Sequence, residues 1–312
     1  LFQFVGNSLY RRNLFKVQDQ LHIVLFELIS KKRARCPYHP FRRYLTVGCF
    51  GRRFTGIFKK ILYNGLASFG AFFNEADRLK IIGIRSHFEN LDRAEGHFIW
   101  PALRWLFENF PKSSKELFML QIQGQIRDLS FTHYETMDQL ESYCYLVAGT
   151  VGEMLLPVLR EDSNEEAQAS GIALGMGMQI VNIIRDVGED HQRGRRYLPL
   201  EIMNRNGYSQ QELERGVINE RFIAVIQDLK RAALDWFREG LANVHTYPPE
   251  SGMAVELAAA FYAGILDDVA ASGYDVFRRR AYVSDEAKLQ MFLSTAARYS
   301  SNIGSMGTTA VN

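Results

Sequence analysis

The residues best suited to chemistry lie in Gly175-Met-Gly-Met-Gln179-Ile-Val-Asn182-Ile-Ile-Arg185-Asp186-Val-Gly-Glu189-Asp190. On a helix, Asn182, Asp186 and Asp190 fall four apart and stack on one face, with Gln179 one turn earlier. Two carboxylates at that spacing repel by a few tenths of a kcal/mol unless a cation lies between them. An all-oxygen set of an amide and two carboxylates suits Mg²⁺, which bridges one or two carboxylates to phosphate oxygens. Arg185 adds a planar guanidinium for a diphosphate. The other sides of this helix carry Ile180, Val181, Ile183, Ile184 and Val187, so the polar stripe is expected to line a cavity. The alternative is a solvated acidic face on a surface helix.

A second stretch runs Tyr143-Cys-Tyr145-Leu-Val-Ala148-Gly149-Thr150-Val151-Gly152-Glu-Met-Leu-Leu-Pro157. A glycine inside a helix costs about 1 kcal/mol relative to alanine and needs a reason. Ala148, Gly149 and Gly152 clear one helical face at three- and four-residue steps. Two readings follow: close helix–helix packing, or a slot beside that face wide enough for a long hydrocarbon chain.

The elements that must position these residues read as helices from about residue 75 onward. Ser113-Ser114 with Glu116 opens a helix running to about Thr132, and Thr136 with Asp138 and Gln139 opens another reaching Pro157. Ser163 with Glu165 and Glu166 starts the long helix that carries the polar stripe. Ser209-Gln-Gln-Glu212 has capping-box spacing. Apolar steps of three and four predict further helices over 221–241, 250–272 and 284–300. The prolines are expected at helix ends. No sustained alternation of period two appears. The expectation is one all-α domain, with 75–300 as the helical domain, 1–74 as a basic segment of the same domain, and 301–312 as a flexible tail.

Composition narrows the classes further. The chain has 312 residues, 47% hydrophobic and 23% charged, too apolar for a disordered chain. Three cysteines (Cys36, Cys49 and Cys144) form no CxxC, so neither a disulfide framework nor a zinc knuckle is indicated, and a reducing cytoplasmic compartment is expected. No run of about eighteen apolar residues is present, so no membrane span is expected. The first residue is Leu1, and residues preceding it are expected. Charge is uneven: residues 1–74 hold 13 Lys and Arg against two acids, Asp19 and Glu27, a net +11. No nucleic-acid motif accompanies that charge, so no nucleic-acid partner is expected, whereas peripheral contact with an anionic membrane would suit it.

Together the two stretches resemble the squalene/phytoene synthase family of head-to-head prenyl transferases. Tyr143 to Glu153 is similar to that family's first signature. Gln179 to Asp190, followed by Arg193-Gly-Arg-Arg-Tyr197-Leu-Pro199, is similar to its second. The resemblance runs from about Glu75 to Arg298. Ser130 to Thr136 and Ala258 to Val269 look closest to dehydrosqualene (4,4′-diapophytoene) synthases, with phytoene synthase as the alternative.

What the resemblance implies is an all-α isoprenoid synthase-type bundle around a central apolar cavity, with Mg²⁺ as cofactor and a prenyl diphosphate as substrate. Two farnesyl diphosphates would condense through presqualene diphosphate to dehydrosqualene, a step toward C30 carotenoids. Carried over by position, Asn182, Asp186 and Asp190 would hold the metal. Gln179, Arg185 and Tyr262 would contact diphosphate or the intermediate, Tyr143 and Tyr197 would line the ionising end, and Tyr143, Arg185, Asp186 and Asp190 would be catalytic. Ala148, Val151 and Gly152 would shape the prenyl channel.

The family has a second, earlier aspartate motif, and this chain departs from it. From Leu28 to Asn74 no carboxylate occurs. Phe26 to Arg33 resembles the lead-in to that motif, and Phe41-Arg-Arg-Tyr44 resembles part of the approach, but no acid follows. The next acids include Asp77 and Glu89. A catalytically impaired relative is therefore a further reading.

Overall fold

The computed structural model describes residues 83–96, 99–160, 162 and 164–306. The N-terminal segment 1–74 and the expectations attached to it lie outside the described residues.

After a helical stretch over 83–89, the main helices are α1 (Ile99–Asn109), α2 (Lys115–Asp128), α3 (Met137–Cys144), α4 (Thr150–Leu159) and α5 (Glu165–Gln192). They continue with α6 (Leu200–Arg205), α7 (Gln210–Glu214), α8 (Glu220–Leu241), α9 (Pro249–Ala271) and α10 (Asp285–Met306). Among the described residues there is no strand, only an isolated bridge between His133 and Arg196.

Local chemistry explains most boundaries. Ser114, Thr136, Asn164, Ser209 and Asn219 each accept a hydrogen bond from a backbone N–H in the first turn, satisfying donors that a helix start leaves open. The capping box at Ser209 is complete, with Glu212 reaching back to the Ser209 N–H. The cap of α5 is Asn164, one residue beyond the expected Ser163.

Three expectations are corrected. α2 stops at Asp128 and not near Thr132, because residues 132–135 pair instead with the segment after α5: Arg196 N–H donates to Thr132 O at 2.8 Å, and Tyr134 N–H to Arg196 O at 3.3 Å. Pro157 lies inside α4, two residues from its end, where the lost hydrogen bond disturbs only the last turn. α10 runs on to Met306, past the expected boundary at 301, since extending a formed helix by a residue costs little.

Between α3 and α4 the chain passes through a π-helical turn, Tyr145–Gly149, without leaving the helical path. π-turns cluster at functional sites because they shift the register of a helix face. Here the turn falls within the first signature.

α5 is the axis of the molecule and packs most extensively on α8 and α4. Ile180, Val181, Ile183 and Ile184 are buried, and so are Ala233, Leu229 and Val225 of α8. The continuous helix Met137–Leu159 and α5 are long and apolar enough to cross a membrane by length and composition. This differs from the sequence expectation, and the cause is core burial: 72% of the apolar window of α5 is buried within the bundle.

Candidate active site

α5 carries Gln179, Asn182, Arg185, Asp186 and Asp190 along one side, and the first four are buried, Asn182 to 3% exposure. The stripe therefore faces inward, and the solvated-face reading is excluded. Asn182 Nδ2 donates to Gln179 Oε1 at 3.4 Å. Arg185 grips the neighbouring Asp186 at two points, Nε to Oδ1 at 2.8 Å and Nη2 to Oδ2 at 2.6 Å. A second cation reaches the same carboxylate from the α9–α10 connection: Arg280 Nη2 is 3.3 Å from Asp186, while its Nη1 donates to Glu189 at 2.7 Å. That connection is tied down beside α5 by Gly188 N–H donating to Val276 O at 3.3 Å. Tyr262 of α9 interacts electrostatically with Arg185.

One turn on, Asp190 is flanked by Arg193 at 3.8 Å. Burial and the neighbouring Asp186 charge push its carboxyl up to about 7. Asp190 also borders a small cleft shared with His191, Arg195, Tyr197 and the apolar Ile183 and Val187.

The structure adds a carboxylate that sequence reasoning missed. Asp128, at the end of α2 and 5% exposed, accepts the Tyr143 hydroxyl on Oδ2 at 2.9 Å and the Tyr197 hydroxyl on Oδ1 at 3.0 Å. Arg195 Nη2 donates to the Asp128 carbonyl at 2.8 Å. Burial raises the Asp128 carboxyl to about 6, an effect held in check by the two tyrosine hydrogen bonds and by Arg195. Burial and the Asp128 charge hold Tyr143 and Tyr197 far above the ordinary phenol range, so neither ionises. No periodicity marked Asp128, because it is the last residue of its helix and its partners are 15 and 69 positions away. Arg280 was hidden for the same reason, inside the Arg278-Arg279-Arg280 run of a loop.

The structure thus brings Tyr143, Gln179, Asn182, Arg185, Asp186, Asp190, Tyr197 and Tyr262 to one region. Ala148, Val151 and Gly152 lie elsewhere on the same helix pair. A Cβ on Gly152 would come within 1.9 Å of the Gly171 carbonyl oxygen, and one on Gly175 within 2.2 Å of the Ala148 carbonyl oxygen. The face cleared by the glycines is therefore filled by the backbone of α5, and close packing, not a slot, accounts for Gly152. Ala148 and Val151 are buried beside it, Ala148 completely. Glu89 is exposed and paired with Arg85 at 2.9 Å.

Could these residues hold Mg²⁺? Their donors are all oxygen, and Asp190 is raised first by burial and then by the neighbouring Asp186 charge. Among the described residues no three of His, Cys, Asp and Glu cluster at metal-binding spacing. Two carboxylates and an amide are what Mg²⁺ takes when phosphate oxygens and water complete its octahedron. The set fits as one such site. Arg185, Arg193, Arg195 and Arg280 are matched by Asp128, Asp186, Glu189 and Asp190, so the guanidiniums and carboxylates of this region balance.

The squalene/phytoene synthase family model matches residues 66–287, including both signature stretches. The 15-cis-phytoene synthase of Synechocystis sp. is 40% identical over 199 residues, 60% of this chain and 59% of its own length. The phytoene synthase of Thermus thermophilus is 39% identical over 182 residues, 58% of this chain and 62% of its own. The chain thus spans about three fifths of these curated relatives. A solved dehydrosqualene synthase in complex with ligand superposes with a TM-score of 0.67 at 32% identity, covering 73% of this chain and 80% of that one. With its all-helical isoprenoid synthase-type bundle and a family match over most of its length, the chain belongs to the squalene/phytoene synthase family.

Proposed function

We propose that this protein is a Mg²⁺-dependent prenyl transferase that joins two identical prenyl diphosphates head to head. The observation that carries the reading is the stack of buried Asn182 and Asp186 with half-buried Asp190 on α5, flanked by Arg185 and Arg280, in a chain of this family. Bound Mg²⁺ would supply charge neutralisation for the departing diphosphate. Arg185 and Arg280 are placed to take diphosphate oxygens once Asp186 is otherwise engaged, and their guanidinium forks suit that anion. Loss of diphosphate leaves an allylic cation, and the buried apolar surroundings of α5 keep water from it until it meets the second prenyl double bond. In the balanced sequence, one diphosphate and one proton leave to give a cyclopropyl diphosphate. The second diphosphate and a second proton then leave to give the triene-centred hydrocarbon, with no reductant consumed.

For chain length, identity of about 40% to proteins named phytoene synthase favours geranylgeranyl diphosphate and a C40 product. Likeness to the solved dehydrosqualene synthase supports farnesyl diphosphate and a C30 product. A third reading, a prenyl diphosphate binder with little turnover, is supported by the absence of any carboxylate from Leu28 to Asn74. Incubation with Mg²⁺ and either diphosphate, followed by extraction of the hydrocarbon, separates the three. A C40 product from the longer substrate supports the first and a C30 product the second. Binding without product supports the third, and absence of both binding and product sinks all of them. Peripheral contact with membrane, from which such substrates and products partition, belongs to the same proposal, as does a cytoplasmic location.

A further inference from the structure

The run Arg278-Arg279-Arg280 carries three adjacent guanidiniums, and one of them reaches Asp186. Each has its own acid. Arg278 Nη1 lies 3.5 Å from Asp275, and Arg279 Nη2 donates to both oxygens of Asp268 at 2.9 Å. Arg280 is left to bridge Asp186 and Glu189 on α5. The acids beside the run therefore decide which arginine enters the site.

Asp268, in the last turn of α9, holds more of this connection than any single pair would. Besides Arg279 it accepts the Tyr282 backbone N–H on Oδ2 at 3.0 Å. Arg280 thus lies between two points tied to one carboxylate, and the Arg279 guanidinium, 5.8 Å from the Tyr282 ring, closes the clamp. The preceding residues are pressed onto α5. Val276 is buried and its carbonyl accepts the Gly188 N–H at 3.3 Å. A Cβ on Gly188 would lie 2.6 Å from both the Phe277 Cα and the Val276 carbonyl oxygen. Ala281, next to Arg280, is buried as well. With the backbone fixed on both sides, only the rotamers of Arg280 remain to be ordered when an anion binds, and a group held in place beforehand binds more tightly.

We propose that Asp268 is a positioning residue: by holding Arg279 and the Tyr282 amide on α9, it keeps Arg280, and not a neighbouring arginine, beside Asp186 where the diphosphate is received. This rests on the prenyl transferase reading and adds the group that sets the register of its anion-binding arginine. The sign of the effect is diagnostic. Asp268 carries the same charge as diphosphate, so on charge alone its removal would strengthen diphosphate binding. Positioning requires the opposite.

The test is calorimetric binding of inorganic diphosphate with Mg²⁺ to the full chain, so it does not depend on turnover. Asp268→Asn should weaken binding about tenfold, a coupling of the size found within one hydrogen-bonded network. Arg280→Ala should weaken it at least as much. In the Arg280→Ala background, Asp268→Asn should change affinity by less than about twofold, because its route to the ligand has gone. Tighter or unchanged binding in Asp268→Asn overturns the proposal. So does an equal loss with and without Arg280, the mark of a merely structural role, or unchanged binding in Arg280→Ala. If the asparagine variant does not fold, Asp268→Glu keeps the charge and lengthens the arm by one methylene. It should weaken binding about threefold where Arg280 is present and leave the Arg280→Ala protein unchanged, and equal effects in both again overturn the proposal. Failure of the wild-type protein to bind diphosphate with Mg²⁺ would instead remove the prenyl transferase reading itself.

Discussion

Asp186 shows how closely binding and stability are tied at this site. It neutralises Arg185 at two points, and Arg185 is only 8% exposed. Asp186→Ala removes the metal ligand but also leaves a buried guanidinium with one fewer partner, a change that costs on the order of 3 kcal/mol. Asp186→Asn keeps the shape and some of the hydrogen bonding. Both variants should lose Mg²⁺-dependent binding of inorganic diphosphate, with the alanine variant alone showing a large drop in Tm. Unchanged diphosphate affinity in the asparagine variant would remove Asp186 from the metal site. Asp128 and Asp190 make a second prediction. Burial raises both carboxyls, to about 6 and about 7, above their unfolded values near 3.8, so the folded state binds protons more tightly. Their contribution is therefore fully favourable below about pH 4 and is lost as pH rises through 6 to 7. In chelator-treated protein, Tm should fall between pH 5 and 8, and Mg²⁺ with diphosphate should flatten that slope. A Tm that rises over this interval would contradict the burial argument.

At the scale of elements, the crossing of α4 on α5 is set by backbone contact. Gly152 faces Gly171, and an added Cβ would fall 1.9 Å from a carbonyl oxygen that no rotamer change can move. Gly152→Ala should therefore push the two helices apart, lower stability by more than about 2 kcal/mol and shift the π-turn that leads into α4. A variant as stable as the wild type would show that the crossing has slack. The short helix α7 offers a contrast. Its complete capping box at Ser209 stabilises the start by about 1 kcal/mol, so Ser209→Ala should lower chemical stability by about that amount. α7 carries none of the site's polar residues, so diphosphate affinity should not change, and a change would tie α7 to the site.

For the whole molecule, the count of diphosphate sites is the question that matters. The described helices assemble one amide–carboxylate set, and the chain from Leu28 to Asn74 has no acid with which to build a facing one. Calorimetric titration with Mg²⁺ and inorganic diphosphate should give one strong site per chain, and the synthase rate should be low. Two equal sites would mean that other residues replace the early motif.

Much of this was legible in the sequence. The caps at Ser114, Thr136 and Ser209, the helices they open and the inward stripe Asn182, Asp186, Asp190 follow from local hydrogen bonding and from the 3.6-residue period, both short-range properties. The glycine face of Tyr143 to Gly152 was legible as a cleared surface, but whether backbone or substrate filled it depended on where α5 lay. The pairing of Asp128 with Tyr143 and Tyr197, and of Arg280 with Asp186, joins residues from 15 to 94 positions apart through a helix end and two loops. Such contacts have no period and no propensity. The helices and the polar stripe could be read from residue order because neighbours along the chain fix them. Which charges meet could not, because that follows from how the helices pack around α5.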